Sequence, residues 1–342
     1  MRIAQIAPPW LEVPPQAYGG TEYIVSLLTE ALALRGHDVT LFATANSRTK
    51  AELVPVWPKG LFKSPNVRDY FAVFGILYKE ILARQKDFDI IHDHCDVFMT
   101  PLSDVIGVPI ISTMHGIFSE EKIILYKKYP KINYVAVSQN QKRSAPGVNI
   151  VKVIHHGIPF EKYEFNKNPK NYFLWISNIA PDKGLTQAID VAKISKEKLI
   201  VSGPIFHQNS DWFDYRIKPL IDGKQIQFVG ESDFDKKIIL MKNAKATLFP
   251  IFARQEPFGL VVIESMACGT PVIASNTGSM PELIENGKTG FITNSIQECA
   301  AALKKIKSIS RLDCRRRVRK KFSITRMINA YERLYYKILA PT

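Results

Sequence analysis

Glu256 and Glu264 stand with seven residues between them in the segment QEPFGLVVIESMACGTPVIAS, residues 255–275. Apart from Ser265, the residues around Glu264 from Pro257 to Ala274 are apolar, glycine, threonine or proline. A carboxylate in such a stretch is costly to bury unless something hydrogen-bonds it. Gly259 to Cys268 reads as a helix stopped by Gly269, with Pro271 two residues further on. Pro257-Phe258-Gly259 is then its first turn, where unpaired backbone N–H groups carry partial positive charge and suit a phosphate. Gly259 would let a ligand approach the backbone closely. Glu264, about one and a half turns into the helix, could accept hydrogen bonds from paired hydroxyls such as those of a ribose. It could equally be a structural carboxylate bonded to a neighbouring loop. Glu256, just before the turn, would reach the group beyond the phosphates.

Other residues suit a ligand less specifically. Lys183 in ISNIAPDKG (176–184) lies where a strand gives way to a helix and is placed to meet an anion, although surface lysines are common. His115 in STMHG (112–116) sits at the carboxyl end of a strand, a position that favours ligand contact over simple packing. Gly19 and Gly20 form a double-glycine loop entering a helix after the first strand, without the full dinucleotide fingerprint. His92, His94 and Asp96 in HDHCD resemble part of a metal-hydrolase ligand set, but Val97 stands where such a pattern would carry another histidine. The triplets Asp87-Phe88-Asp89 and Asp233-Phe234-Asp235 read as capping or solvated carboxylates.

The elements that must position these residues alternate along the chain. RIAQIA (2–7), HDVTLFAT (37–44), DIIH (89–92), VPIISTM (108–114), NYVAVS (133–138) and VKVIHH (151–156) read as strands. Between the first two, Ile24, Leu27, Leu28, Ala31, Leu32 and Leu34 recur at helical spacing up to Gly36. After the polar stretch PFEKYEFNKNPKN (159–171), taken as a linker, the alternation restarts. Strands are expected at 172–177, 198–203, 226–230, 246–250 and 271–275, and helices at 185–194, 235–241 and 259–268. Strands separated by helices imply right-handed crossovers and parallel, doubly wound sheets. The fold class is therefore α/β, with two such domains facing across a cleft: 1–165, and 166–322 followed by a final helix, 323–342. In these sheets ligands bind beyond the carboxyl ends of the strands.

The 342 residues exceed one ordinary core, and 46% hydrophobic with 23% charged residues is a globular composition. No apolar run spans a bilayer, and the N-terminus reads as a first strand rather than a secretion signal. Scattered Cys95, Cys268, Cys299 and Cys314 fit reduced thiols in a cytoplasmic protein. The net charge of +14 favours a polyanionic partner, with its densest run, RLDCRRRVRKK, at 311–321.

Taken together and in order, these pieces resemble the retaining glycosyltransferases of family 4, which have the GT-B fold of two Rossmann-like domains. The resemblance runs nearly the whole chain: GGTE after the first strand, RGHDVTLFAT, His115-Gly116, VIHHGIP, DKG, EPFGLVVIESMACGTPVIAS and GSMPELIENGKTGFI (278–292). It implies a hexosyl-type, metal-independent transferase with no cofactor, in which a nucleotide-sugar donor is a substrate. By the same resemblance Glu264 would hold the ribose hydroxyls, and Glu256 would contact the donor sugar near the reacting carbon. The amides of Phe258, Gly259 and Leu260 would receive sugar hydroxyls and the diphosphate, and Lys183 would neutralise the leaving phosphate. Gly19 and Gly20 would close over the diphosphate, and His115 would face the sugar from the opposite domain. Glu256 and His115 are thus the expected catalytic residues. Asn178 departs from the family, which usually has an arginine there as a second phosphate clamp, and this puts donor affinity in question. VIHHGIP also carries His156 and Pro159 where the family has Asn and Asp.

The acceptor would be a saccharide, a lipid-linked or a small molecule, and no nucleic-acid partner is expected. The final helix would cross back to the first domain. The basic run 311–321 is a candidate for contact with an anionic membrane, which would place the protein peripherally on the inner face. Three rival functions stand beside this one: a nucleotide-sugar binder without turnover, a glycosidase or phosphorylase using the two glutamates, and a metal-dependent hydrolase at His92 and His94.

Overall fold

The computed structural model describes residues 1–64 and 66–340. Two compact units partition the chain, Met1–His156 with Ile324–Thr342, and Gly157–Ser323. The sequence places the boundary after 165, whereas residues 157–165 group with the second unit.

In unit 1 the strands are β1 (Arg2–Ile6), β2 (Asp38–Thr44), β3 (Glu52–Trp57), β4 (Ile90–Asp93), β5 (Ile110–Met114), β6 (Asn133–Ala136) and β7 (Ile150–Val153). They form one sheet in the order β3-β2-β1-β4-β5-β6-β7, every neighbouring pair parallel. Helices α1 (Gly20–Leu34), α2 (Tyr70–Arg84), α3 (Glu120–Lys128) and α4 (Gln139–Arg143) lie between them in sequence. A parallel sheet covered on both faces must bury nearly every strand residue, and β4 and β5 are buried throughout. The polar residues His92, Asp93, Ser112 and Thr113 are carried into the interior with them. α1 forms because Ile24, Val25, Leu28 and Leu32 recur on its buried face.

Unit 2 carries β8 (Phe173–Ile176), β9 (Leu199–Ser202), β10 (Ile226–Phe228), β11 (Thr247–Phe249), β12 (Val272–Ser275) and β13 (Gly290–Thr293). Their order is β10-β9-β8-β11-β12-β13, again parallel. Its helices are α5 (Leu185–Ser195), α6 (Ser210–Trp212), α7 (Phe234–Asn243), α8 (Leu260–Ala267), α9 (Met280–Leu283), α10 (Ile296–Lys305) and α11 (Arg311–Lys321). The last helix, α12 (Ile324–Leu339), belongs to unit 1, where it buries Met327, Ile328, Tyr331, Leu334 and Tyr335. Glu332 of α12 pairs with Arg35 and His37 just beyond α1.

Two strands lie outside the sequence expectations, and both sit at sheet edges. β3 contains Pro55, which removes a ladder donor and is tolerated on an edge strand. β13 is a short run after Lys288-Thr289, too brief to show a period.

The basic run 311–321 forms α11, and much of it faces inward. Arg311 donates to the carbonyls of Lys242 and Ala244 at the end of α7. Arg315 donates to Ala267 O at the end of α8, and Arg317 to Glu282 O and Leu283 O at the end of α9. Helix ends leave carbonyls unpaired and partially negative, so one cationic helix closes three others. Arg316, Arg319, Lys320 and Lys321 remain exposed.

Candidate active site

The chain in unit 2 runs from β8 outward to β10 and then returns to β11 on the other side. The carboxyl ends of β8 and β11 therefore flank the point where strand order reverses, the place where such sheets bind ligands. The loop after β8 brings Asn178, Asp182 and Lys183, and the loop after β11 brings Arg254, Glu256 and Phe258.

Lys183 and Glu256 meet directly, with Nζ 3.0 Å from Oε2 and both side chains largely buried. Arg254 approaches the same carboxylate oxygen, Nη2 lying 3.8 Å away, and its Nη1 pairs with Asp182. Its Nε is buried without a hydrogen-bond partner among the described residues. Two cations and two carboxylates thus alternate across the two loops. Trp175 Nε1 donates to Lys183 O at 3.2 Å and ties the first loop to β8. The Glu256 backbone is held by the loop after β12. Ser279 N donates to Glu256 O at 3.1 Å, and a side chain at Gly278 would meet Glu256 backbone atoms at 2.4–2.6 Å. Asn178 is apart from this cluster in its bonding: its Oδ1 accepts from Ser177 Oγ at 3.3 Å.

Gly259 begins α8 in the left-handed region, at φ 87°, where a side chain would be strained. The amide of Leu260 opens the helix, and amides in a first turn have no intrahelical acceptor. Glu264 is 3% exposed within α8, and the protein supplies its partners. Its Oε1 accepts from Lys237 Nζ at 2.6 Å and from Tyr163 OH at 2.9 Å. The structural-carboxylate alternative therefore describes Oε1, while Oε2 takes no hydrogen bond among the described residues.

In unit 1, Gly19 and Gly20 lie where the loop after β1 enters α1. His115 follows β5 and is half-buried. Its Nε2 lies 2.9 Å from His94 Nδ1, and its ring stacks on His156 at 5.1 Å and 17°. Burial holds the His115 pKa down to about 4, against a smaller upward pull from Asp96. Burial also keeps His92, His94 and His156 well below the usual imidazole range, reinforced by their neighbours. These rings are neutral near pH 7.

The metal-hydrolase alternative finds its residues engaged separately. His92 bonds Tyr335 OH and Thr113 Oγ1, His94 bonds His115 and Gln5, and Asp96 bonds Lys122 and Tyr126. Of the two D-x-D triplets, Asp233 caps α7 and Asp89 pairs with Arg2.

Arg254, Lys237 and Tyr163 escaped the sequence reading as site residues, and Gly278 and Ser279 entered it only within the motif GSMPELIENGKTGFI, without a role of their own. Arg254 stands two residues before Glu256, and that proximity is a usable signal. Lys237 and Tyr163 are distant in sequence from Glu264, and nothing local links them.

Two family models match in tandem: glycosyltransferase family 4 over residues 18–162 and glycosyl transferases group 1 over residues 159–323. A glycogen synthase of Mycobacterium tuberculosis is 24% identical, the alignment covering 85% of this chain and 81% of the relative. The N-acetyl-alpha-D-glucosaminyl L-malate synthase of Bacillus anthracis is 23% identical over 94% of both chains. In fold, the sucrose-phosphate synthase of Thermosynechococcus elongatus matches with a TM-score of 0.83 at 20% identity, covering 100% of each chain. HepE of Anabaena, solved with UDP and glucose, matches with a TM-score of 0.78 at 18% identity, over 98% of this chain and 99% of that one.

Proposed function

Because this chain belongs to the group 1 glycosyltransferases, with the GT-B fold, we propose that it transfers a sugar from a nucleotide-diphosphate sugar to an acceptor hydroxyl, retaining the anomeric configuration and using no divalent metal. The observation that carries the reading is the cluster of Lys183, Arg254 and Glu256 at the strand reversal of unit 2. That HepE was solved with UDP and glucose supports a nucleotide sugar as donor.

Lys183 neutralises the leaving diphosphate. Arg254 brings the second positive charge that Asn178 does not, which favours turnover over binding alone. The amides of Phe258, Gly259 and Leu260 receive sugar hydroxyls and phosphate oxygens, and Gly19 and Gly20 admit the diphosphate close to their backbone. Glu264 Oε2 accepts from the ribose while Lys237 and Tyr163 fix the carboxylate through Oε1. Glu256 contacts the sugar near its reacting carbon, and the neutral His115 bonds a sugar hydroxyl.

In the reaction the C1–O bond to the diphosphate loosens to an oxocarbenium-like state. The acceptor oxygen bonds C1 on the same face, and its proton passes to the departing phosphate oxygen. Catalysis is then mainly positioning and stabilisation of leaving-group charge by fixed cations and a helix start. The acceptor is a saccharide, a lipid-linked or a small molecule.

A thermal-shift screen across nucleotide sugars identifies the donor, because a ligand of the folded state raises its melting temperature by mass action. Transfer is then assayed with an acceptor panel. Glu256→Ala should lower kcat by roughly a hundredfold or more; transfer at the wild-type rate would remove the assignment. Tight nucleotide binding without transfer would instead leave a binding protein.

A further inference from the structure

A continuous polar chain runs through the interior of unit 1 and ends on His115. Gln5 of β1 is fully buried and bonds two groups at once. Its Nε2 donates to Tyr335 OH at 3.2 Å, and its Oε1 lies 3.0 Å from His94 Nε2. Beyond them, His94 Nδ1 lies 2.9 Å from His115 Nε2, and Tyr335 OH lies 2.6 Å from His92 Nδ1.

Each of these bonds needs one proton, and a neutral imidazole carries one N–H and one bare nitrogen. The amide oxygen of Gln5 can only accept, so His94 Nε2 carries the proton and His94 Nδ1 is bare. His115 Nε2 must then be the donor across the 2.9 Å contact. On the other branch Gln5 Nε2 donates to the Tyr335 oxygen, and the proton of this buried hydroxyl has His92 Nδ1 as its acceptor among the described residues, so Tyr335 donates to His92 Nδ1. His92 Nε2–H is left to donate to Thr113 Oγ1 at 2.7 Å. One amide orientation thus dictates the proton positions of three histidines.

We infer that Gln5, acting through His94, is a positioning residue that fixes the tautomer of His115, leaving His115 Nδ1 bare as an acceptor for a substrate hydroxyl. No hydrogen bond takes His115 Nδ1 among the described residues, and the residue is partly exposed. A sugar presents hydroxyl donors, so the bare nitrogen fits a hydroxyl and rejects an acceptor-only group at the same place. The substrate role rests on the sugar-transfer reading above; the tautomer itself does not. The motif HDHCD finds its use here: His94 is a relay between a buried amide and the ring at the strand end.

The full chain with 15N-labelled histidine rings, examined by long-range 1H–15N correlation NMR near neutral pH, reads the tautomers directly. The His115 signals are those lost in His115→Asn. The expected wild-type spectrum shows His92, His94 and His115 all protonated on Nε2; a His115 protonated on Nδ1 would overturn the inference. In Gln5→Glu, whose carboxylate accepts on both sides, His94 and His115 should keep their tautomers while His92 reverses to Nδ1–H. Loss of the His115 tautomer in that variant would also overturn it. In Gln5→Leu the His115 ring should show both tautomers, and kcat should fall by roughly tenfold with the donor KM little changed, one hydrogen bond's worth. An unchanged single tautomer would count against the relay. Should Gln5→Leu fail to fold, the wild-type and Gln5→Glu spectra still decide. Absence of sugar transfer would remove the proposed function and leave these spectra interpretable; the wrong tautomer would remove the relay and leave transfer standing.

Discussion

At the scale of single residues, the charge balance around Glu256 decides how a diphosphate could be held. Lys183 and Arg254 both reach Glu256, while Asp182 takes the other face of Arg254. Asn178, where the sequence resemblance raises the expectation of an arginine, bonds its neighbour Ser177 and makes no other side-chain hydrogen bond among the described residues. If Arg254 supplies the missing cation, Arg254→Ala should lower kcat/KM for transfer by about 10- to 100-fold. Asn178→Arg in that background should recover part of the loss. Steady-state kinetics on the two variants check this, and an Arg254→Ala enzyme with wild-type kcat/KM would leave Lys183 as the sole clamp. Glu264 was legible from sequence because it interrupts an apolar pattern, and Glu256 because it stands just before the first turn of the same helix. Lys237, which meets Glu264 from 27 residues away in sequence, was not, because only the packing of α7 against α8 joins them.

At the scale of elements, α11 closes the ends of α7, α8 and α9 through Arg311, Arg315 and Arg317. From sequence this run reads as a membrane-facing charge cluster, since a side chain's sequence position does not reveal which carbonyls it will meet. The burial of Cys314 and Val318 on the same helix shows which face turns inward. Charge-assisted bonds to helix-end carbonyls are stronger than neutral ones. Arg315→Ala is therefore expected to destabilise unit 2 by about 1–3 kcal/mol, whereas exposed Arg316→Ala should stay within about 0.5 kcal/mol. Denaturant melts distinguish the two, and equal effects would contradict the inward assignment. The helix α8 itself was well marked by Gly259 and Gly269, and the structure places it at Leu260–Ala267. The edge strands β3 and β13 were missed for opposite reasons, a proline inside one and brevity in the other.

At the scale of the whole molecule, the alternation of short apolar runs with amphipathic stretches was enough to read two parallel, doubly wound sheets. It could not show that residues 157–165 pack with the second unit, because a polar linker carries no period. Nor could it show that a ladder of four histidines lies inside unit 1. That ladder has a consequence for stability. Its pKa values are depressed below the ordinary 6.5, to about 4 for His115. The unfolded chain therefore binds protons first, and stability present above pH 6.5 is lost as pH falls toward about 4. Burial raises Glu22 and Asp93 to about 7, which acts in the opposite direction throughout this range. Four imidazoles outnumber these two acids, so melting temperature should fall between about pH 7 and about pH 5. A rise over that interval would show that the rings are charged in the folded state.

The central claim is that fixed side-chain cations at the strand reversal of unit 2, rather than a metal ion, carry the leaving diphosphate. Its most direct test is the rate of sugar transfer from the identified donor in excess chelator, for the wild-type chain and for Lys183→Ala. The expected result is an undiminished wild-type rate and a loss of roughly a hundredfold or more in the variant. Wild-type activity abolished by the chelator and restored by a divalent cation, or a Lys183→Ala chain as fast as the wild type, would contradict it.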